Sequence, residues 1–472
     1  MNAARLGTPN TLGKRRVLLL SYYFPPMGGT GVLRMLKVAK YLPRHGWIPT
    51  VLTVNKDNYH TRDETLLDDL PSECEMIRTG SLDPDRLYRL LRGRKTSAFW
   101  DLESRGSRGL LSRLIRIVRS SLFIPDTRIG WLPFACAAGR RAVVNHDLDA
   151  VLASGPPHTT LIAGAMIARR TRRPFLADFR DPWTEAYFYP DRPFLADRIN
   201  RKLEAWVLRQ ADCITAVGEG VADSLRRKLP PRDRDKVQVL HNGFDPEDFP
   251  ADRTAPVHPF TLIYCGSLHM RRDPRPLIKA LEALAASGEV KKEDFRFRII
   301  GRMTSEIREA VGASPIRESL EISGYLPYRD TLAAMSRASA LVLLIEDGPE
   351  GKAILTNKIF EYLGCGHPIL ALAPEGEASD IIHRAHAGLV VPPTNRDAIG
   401  QALLTLFRNG RDRVLPESDA RVVAGFSRER QAGRFAALLN EYAGMSVRRV
   451  RHPAVHEMKM AGAGSRDRNL GP

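Results

Sequence analysis

Short runs of consecutive apolar residues recur along the chain. Each is followed by a turn rich in Gly, Pro or charge, and then by a stretch with helical spacing. The first, Val17-Leu18-Leu19-Leu20, has no polar alternation, which suits a strand covered on both faces, as in a parallel sheet. The strand predicted over 16–21 leads through Tyr22-Tyr23-Phe24-Pro25-Pro26-Met27-Gly28-Gly29-Thr30-Gly31 into a helix over 32–45. Gly46 closes that helix and a strand follows over 50–54, making one βαβ unit. Strands recur over 148–154, 174–178 and 212–217, with helices over 159–170 and 201–210 between them. A proline-rich polar stretch over 248–259 reads as a linker. After it come strands over 260–266, 295–301, 320–324, 340–345, 369–373 and 388–391, with helices such as 274–286 and 328–336 between. The pattern predicts an α/β chain of two doubly wound Rossmann-like lobes, 14–247 and 260–425, facing a cleft. A C-terminal helix over 426–445 and a basic tail over 446–472, polar enough to be disordered, complete it. No solenoid-length repeat is present.

At 472 residues and 43% hydrophobic content the chain has material for two full cores. Its cysteines, Cys74, Cys136, Cys213, Cys265 and Cys365, show no paired spacing, which points to a reducing, cytoplasmic setting and away from a disulfide frame or zinc cluster. The early run 17–20 is too short for a signal-peptide core or a membrane span. The net charge of +17 is concentrated: ten Lys or Arg lie between Arg86 and Arg119 against Asp101 and Glu103. Within 105–124, Leu110, Leu111, Leu114, Ile115, Val118 and Leu122 form an apolar stripe, with Arg113 and Arg116 off it. That pattern suits a helix lying on an anionic membrane surface, and equally a core-facing helix with a solvated basic side. Nucleic acid is not the expected partner, because no aromatic interleaving and no helix-turn-helix or finger pattern accompanies the charge.

Three stretches carry candidate chemistry. Gly28, Gly29 and Gly31 permit close backbone approach to a ligand at the carboxyl end of the first strand. As a dinucleotide fingerprint they are incomplete, since the third glycine position is Arg34. The strand over 174–178 ends in Phe179-Arg180-Asp181-Pro182-Trp183, charged residues where parallel sheets place ligands; Trp183, with Glu185, offers a sugar-stacking and hydroxyl-binding surface. Thr356-Asn357-Lys358-Ile359-Phe360-Glu361 reads as a capped helix start, Thr356 or Asn357 being the cap. Its free N–H groups and Lys358 suit a diphosphate, and Glu361, one turn in, suits a ribose diol. An ordinary capped helix with a surface Lys and Glu shows the same pattern.

Taken in order and spacing, these segments, together with Ala211-Asp212, Asn242-Gly243-Phe244-Asp245 and Tyr362-Leu363 through Gly366, resemble the GT-B glycosyltransferases of the family 4 or group 1 type, from about Val17 to Tyr442. The resemblance implies transfer of a sugar from a nucleotide-sugar donor held by the second lobe to an acceptor held by the first. No separate cofactor is implied, the nucleotide-sugar being a substrate, and neither is a metal. Family members meet the phosphates with an Arg directly after the Gly of the second lobe's first strand and a Lys several residues on. Here Gly266-Ser267 lacks that Arg, and Arg271 or Arg272 falls near the Lys position. Of the family's two glutamates with seven residues between them, Glu361 matches the second; the first falls on Ala353, with Glu346, Asp347 and Glu350 close by.

The resemblance thus implies donor binding by Gly28, Gly29, Gly31, Gly266, Ser267, Arg271, Arg272, Asn357, Lys358 and Glu361. It implies chemistry at Arg180, Asp181 and Arg272, and acceptor binding at His158 and Trp183. Retention of configuration and a lipid-linked or envelope-polysaccharide acceptor are its further expectations. A nucleotide-sugar epimerase of the same architecture and a non-catalytic nucleotide-sugar-binding protein are the alternatives, the latter suggested by Ser267 and Ala353. A nicotinamide-linked oxidoreductase fits least.

Overall fold

The computed structural model describes residues 13–55, 62–82, 123–185, 193–252, 258–269, 272–352, 354–412 and 418–451. Arg271, Ala353, nearly all of the basic stretch 105–124 and the tail from residue 452 lie outside the described residues.

Two parallel sheets form the frame. The first runs β3-β2-β1-β4-β5-β6-β7 and the second β10-β9-β8-β11-β12-β13. In the first, β1 (Arg15–Leu20) lies between β2 (Trp47–Val54) and β4 (Ala150–Gly155). Outside these come β3 (Glu75–Thr79) on one side, and β5 (Phe175–Phe179), β6 (Cys213–Ala216) and β7 (Val237–Val239) on the other. In the second, β8 (Phe260–Cys265) is flanked by β9 (Phe295–Ile300) with β10 (Leu320–Gly324), and by β11 (Ala340–Leu344), β12 (Ile369–Leu372) and β13 (Gly388–Val391). In each, chain order reverses direction beside the first strand, at β1/β4 and at β8/β11. The crevice outside the carboxyl ends there is where such sheets hold ligands.

The unalternated apolar runs behave as parallel strands require. Leu18 and Leu20 point into one core, and Val17 and Leu19 into another on the opposite face of the sheet. On β8, Leu262 and Tyr264 face one core and Ile263 and Cys265 the other. Each such side chain contributes about 1.5–3 kcal/mol by leaving water, so the four cores give both lobes rigid sheets against which charged residues can be held.

The helices that position the cleft are α1 (Thr30–Tyr41), α2 (Leu132–Asn145), α3 (His158–Thr171), α4 (Phe194–Gln210) and α5 (Glu219–Arg227) in the first lobe. In the second they are α6 (Arg275–Ala286), α7 (Ser305–Gly312), α8 (Tyr328–Met335), α9 (Pro349–Lys352), α10 (Lys358–Cys365), α11 (Glu377–Arg384) and α12 (Arg396–Asp412). After α13 (Ala420–Ala424), α14 (Arg428–Arg451) returns to the first lobe, where Phe435, Ala436 and Leu439 share a core with Val32 and Leu36 of α1. The last helix thus runs past the predicted end at residue 445 and belongs by packing to the lobe that begins the chain.

Two segments cross between the lobes and pair with each other. The Phe244 amide donates to the Phe426 carbonyl at 3.1 Å, and the Arg428 amide to the Phe244 carbonyl at 2.8 Å. A Cβ on Gly243 would lie 2.1 Å from the Phe426 carbonyl oxygen, so glycine there is what lets the two crossings touch.

Candidate active site

A cavity of about 640 Å³ lies between the lobes. The first lobe lines it with Tyr23, Gly31, Arg180, Asp181, Glu185 and Arg227, the second with His269, Arg272, Glu346, Glu350, Thr356 and Asn357.

The first-lobe wall is built on a buried ion pair. Asp178, the fourth residue of β5, is fully buried and accepts from Arg34 Nη2 at 2.8 Å and Nε at 3.0 Å, and from the hydroxyls of Ser154 and Thr215 at 2.7 Å each. Burial alone would raise its pKa; Arg34 reverses that and holds the carboxyl below the usual carboxylate range. Arg34 also donates to the Leu240 and His241 carbonyls and to Asn242 Oδ1, which ties β5 to the crossing segment. Directly after the strand come Arg180 and Asp181, both half-buried. Arg180 donates to the carbonyls of Gly31 and Pro156 and so spans the glycine loop and the loop after β4. Burial lowers its pKa, and burial pushes that of Asp181 up to about 6 against the opposing charge of Arg180. Asp181 is therefore a carboxyl that can exchange a proton near neutrality at the cleft wall.

The second-lobe wall is the start of α10. Gly266 closes β8 with φ +141°, and a Cβ there would meet Lys358 Cε at 2.4 Å, so this glycine is the space that the lysine occupies. Lys358 carries its charge among Arg272, Glu361 and Cys265; burial lowers its pKa while Glu361 opposes the shift. Burial raises that of Glu361, against Lys358 and Arg428. Asn357 does not cap the helix with its side chain, contrary to the sequence pattern. Its Oδ1 and the Oε1 of Glu361 are buried polar atoms with no hydrogen bond. Glu361 is 6% exposed and is set behind the cavity wall, whereas Asn357 and Arg272 are on it.

The lobes also meet directly. Glu377, at the start of α11, accepts from the amide of Glu219 at the start of α5 at 2.9 Å and bonds His241 Nε2 at 2.8 Å. Lys37 of α1 lies buried against Asp245, at 2.7 Å, and Asp69, at 2.6 Å, and also pairs with Asp248.

Of the residues singled out in the sequence, Arg180, Asp181, Gly31, Arg272 and Asn357 line one cavity, and Lys358 and Glu361 adjoin it. Gly28 packs on Asp63 and, like Gly29, is off the cavity wall; Ser267 is exposed and its carbonyl accepts from the Tyr264 hydroxyl. The expected acceptor surface at Trp183 and His158 is corrected by the structure. The two rings stack at 4.7 Å, are 0% and 1% exposed, and the Trp183 indole donates to Asn200, so they brace the lobe from inside. Sequence reasoning missed Arg34, His241, Glu377 and Arg428. For Arg34 and Lys37 a signal existed, since both interrupt the buried stripe of α1, where a cation persists only if it is paired.

The sequence contains Asp-any-Asp triplets, as in metal-dependent transferases, but the described ones are engaged elsewhere. Asp147 pairs with Arg173, Asp149 accepts from the Arg16 amide, and Asp233 pairs with Lys236. Among the described residues no group of three or more His, Cys, Asp or Glu side chains is placed to hold a metal ion.

Residues 28–248 match the family "Glycosyltransferase Family 4" and residues 259–409 match "Glycosyl transferases group 1". No curated protein matches the sequence. Similar solved structures include α,α-trehalose 6-phosphate synthase from Burkholderia multivorans (TM-score 0.58, 12% identity, 93% of this chain and 99% of that one). Others are sucrose-phosphate synthase from Thermosynechococcus elongatus (0.55, 16%, 92% and 100%) and HepE of Anabaena in complex with UDP (0.51, 13%, 93% and 98%). With two parallel sheets of seven and six strands and both halves matched in order, the chain belongs to the GT-B glycosyltransferases of the family 4, group 1 type.

Proposed function

We propose that the protein moves a hexose or related sugar from a nucleotide-sugar, held by the second lobe, to an acceptor held by the first. The observation that carries this reading is the cluster of half-buried Lys358 and Arg272 with buried Glu361 at the carboxyl edge of the second sheet, beside the interlobe cavity. Departure of a nucleoside diphosphate piles negative charge on the phosphates. Lys358 and Arg272 supply fixed positive charge there without a metal, and the uncapped amides at the start of α10 add to it. The open Oε1 of Glu361 and Oδ1 of Asn357 are acceptors that ribose hydroxyls would complete. A UDP donor is supported by analogy with the UDP complex of the Anabaena relative.

On the opposite wall, Arg180 and Asp181 face the place where donor and acceptor meet. Retention of configuration, as the family implies, needs no covalent nucleophile, and Asp181 then positions or deprotonates the acceptor hydroxyl. The carboxylates Glu346 and Glu350 line the cavity close in sequence to residue 353, the position of the missing family glutamate, and take over contact with the sugar. The acceptor is a lipid-linked or envelope-polysaccharide intermediate met at the cytoplasmic face of a membrane. In this reading the contact is peripheral; no helix among the described residues is long and apolar enough to cross a membrane.

The test is a thermal-shift panel of UDP-, GDP-, ADP- and dTDP-sugars, followed by assay of the stabilising donor with and without acceptors. Stabilisation by one donor, reduced in Glu361→Gln, is expected; no donor response would refute the reading. Isomerisation of the donor without an acceptor would assign an epimerase instead.

A further inference from the structure

We infer that the outer face of α2 and α3, outside the catalytic cavity, is a docking surface for an anionic phospholipid membrane. The face of α2 that is turned outward presents Phe134, Ala137, Arg140, Arg141 and Val144, a stripe at helical spacing. Val144 is 73% exposed and Phe134 38%, among the few large apolar side chains that the described residues leave in water. Between the ends of α2 and α3 lies a hollow of about 720 Å³ lined by Arg140, Arg141, Arg170 and Arg173.

The charge is not consumed within the protein. Among the described residues Arg140, Arg141 and Arg170 enter no ion pair, while the acids nearby are already engaged: Asp147 with Arg173 at 2.7 Å and Glu75 with His146 at 3.2 Å. Complementing a helix dipole accounts for Arg170 in the last turn of α3, but not for Arg140 and Arg141, which precede the last turn of α2. Exposed apolar side chains interleaved with unpaired cations are what the headgroup layer of an anionic bilayer accepts: the rings and methyls enter the acyl boundary and the guanidinium groups meet phosphates. Single-stranded nucleic acid would ask instead for a row of exposed aromatics, and this face has Phe134 alone.

The placement has a consequence. α2 precedes β4 and runs antiparallel to the strands, so Phe134 lies toward the carboxyl edge of the sheet, the edge that bears the cavity, and Val144 about 15 Å away toward the other. Docking by this stripe lays the first lobe on the bilayer with its cavity edge next to the lipid. That last step rests on the lipid-linked acceptor proposed above; the docking itself does not.

The experiment is co-sedimentation of the full-length protein with phosphatidylcholine vesicles with and without phosphatidylglycerol, in the absence of any sugar substrate. The wild type should bind only the anionic vesicles. The triple variant Arg140→Glu/Arg141→Glu/Arg170→Glu should bind on the order of a hundredfold more weakly, at about fivefold per arginine. Phe134→Ser/Val144→Ser, which keeps every charge, should lose the binding that survives in high salt. Because these side chains are exposed, unchanged melting temperatures are expected and show that the variants fold. Equal vesicle binding by the arginine variant, binding lost only in Arg113→Glu/Arg116→Glu/Arg119→Glu, or wild-type binding to single-stranded RNA but not to vesicles would each overturn the inference. Vesicle binding without sugar transfer would leave it standing and count against the catalytic reading alone.

Discussion

Arg34→Met removes one half of the ion pair on which the first-lobe wall is built. Both partners are buried, with side chains 2% and 0% exposed, and solvent cannot take the place of the guanidinium. The variant leaves the Asp178 carboxylate with only the Ser154 and Thr215 hydroxyls, a loss of about 3–5 kcal/mol at pH 7. Urea denaturation followed by circular dichroism measures it. The pH dependence fixes the cause. Asp178 has a folded pKa below 3.8, so its contribution is fully present above that value and is lost as pH falls through the folded pKa. Without Arg34 the carboxyl protonates more readily, and the gap between wild type and variant must narrow as the solution is acidified. Arg34→Met/Asp178→Asn, which removes both charges, should recover most of the loss. A gap under about 1 kcal/mol at pH 7, or one that stays constant into acid, would show that the pair does not hold the wall together.

Arg272→Met and Lys358→Met should each lower kcat by about 10²–10³ through lost stabilisation of the leaving diphosphate, measured by nucleotide release; a change in KM alone would move them from transition-state to ground-state binding. Glu361→Gln should weaken donor binding in calorimetry by more than tenfold and leave the fold intact, while an unchanged affinity would place the ribose elsewhere. Burial raises the Asp181 pKa from 3.8 to about 6, so the folded chain binds the proton more tightly and Asp181 makes stability fall as pH rises through that window. Asp181→Asn should remove that part of the slope, and an unaltered profile would contradict it. Gly243→Ala forces a Cβ against the Phe426 carbonyl and should cost about 1–3 kcal/mol in thermal unfolding, unless the two crossing segments are free to separate.

The two-lobe architecture was legible because strands buried on both faces leave continuous apolar runs, and every second-lobe strand lies within a residue or so of its predicted span. β3 was not, since of its residues Glu75 is exposed and Met76-Ile77-Arg78-Thr79 are only half-buried at a sheet edge, which carries too little apolar signal. α4 begins seven residues before the predicted start because Phe194 and Leu195, exposed in its first turn, break the amphipathic pattern. In the site, single-segment features such as Arg180, Asp181 and Lys358 could be read from sequence. Contacts between distant segments could not. Nothing local tells that Glu377 reaches Glu219 and His241, or that Arg428 faces Glu361. Trp183 misled for the same reason: an aromatic after a strand end suits either a ligand or a core, and only the stacking partner 25 residues upstream decides.

The central claim is tested most directly by incubating the purified protein with a sugar-labelled nucleotide-sugar and candidate acceptors, following both nucleoside diphosphate and label. The account predicts diphosphate release that depends on acceptor, label on the acceptor in equal amount, and loss of both in Lys358→Met. Conversion of the donor to an isomer without acceptor, or tight donor binding with no turnover against any acceptor, would contradict it.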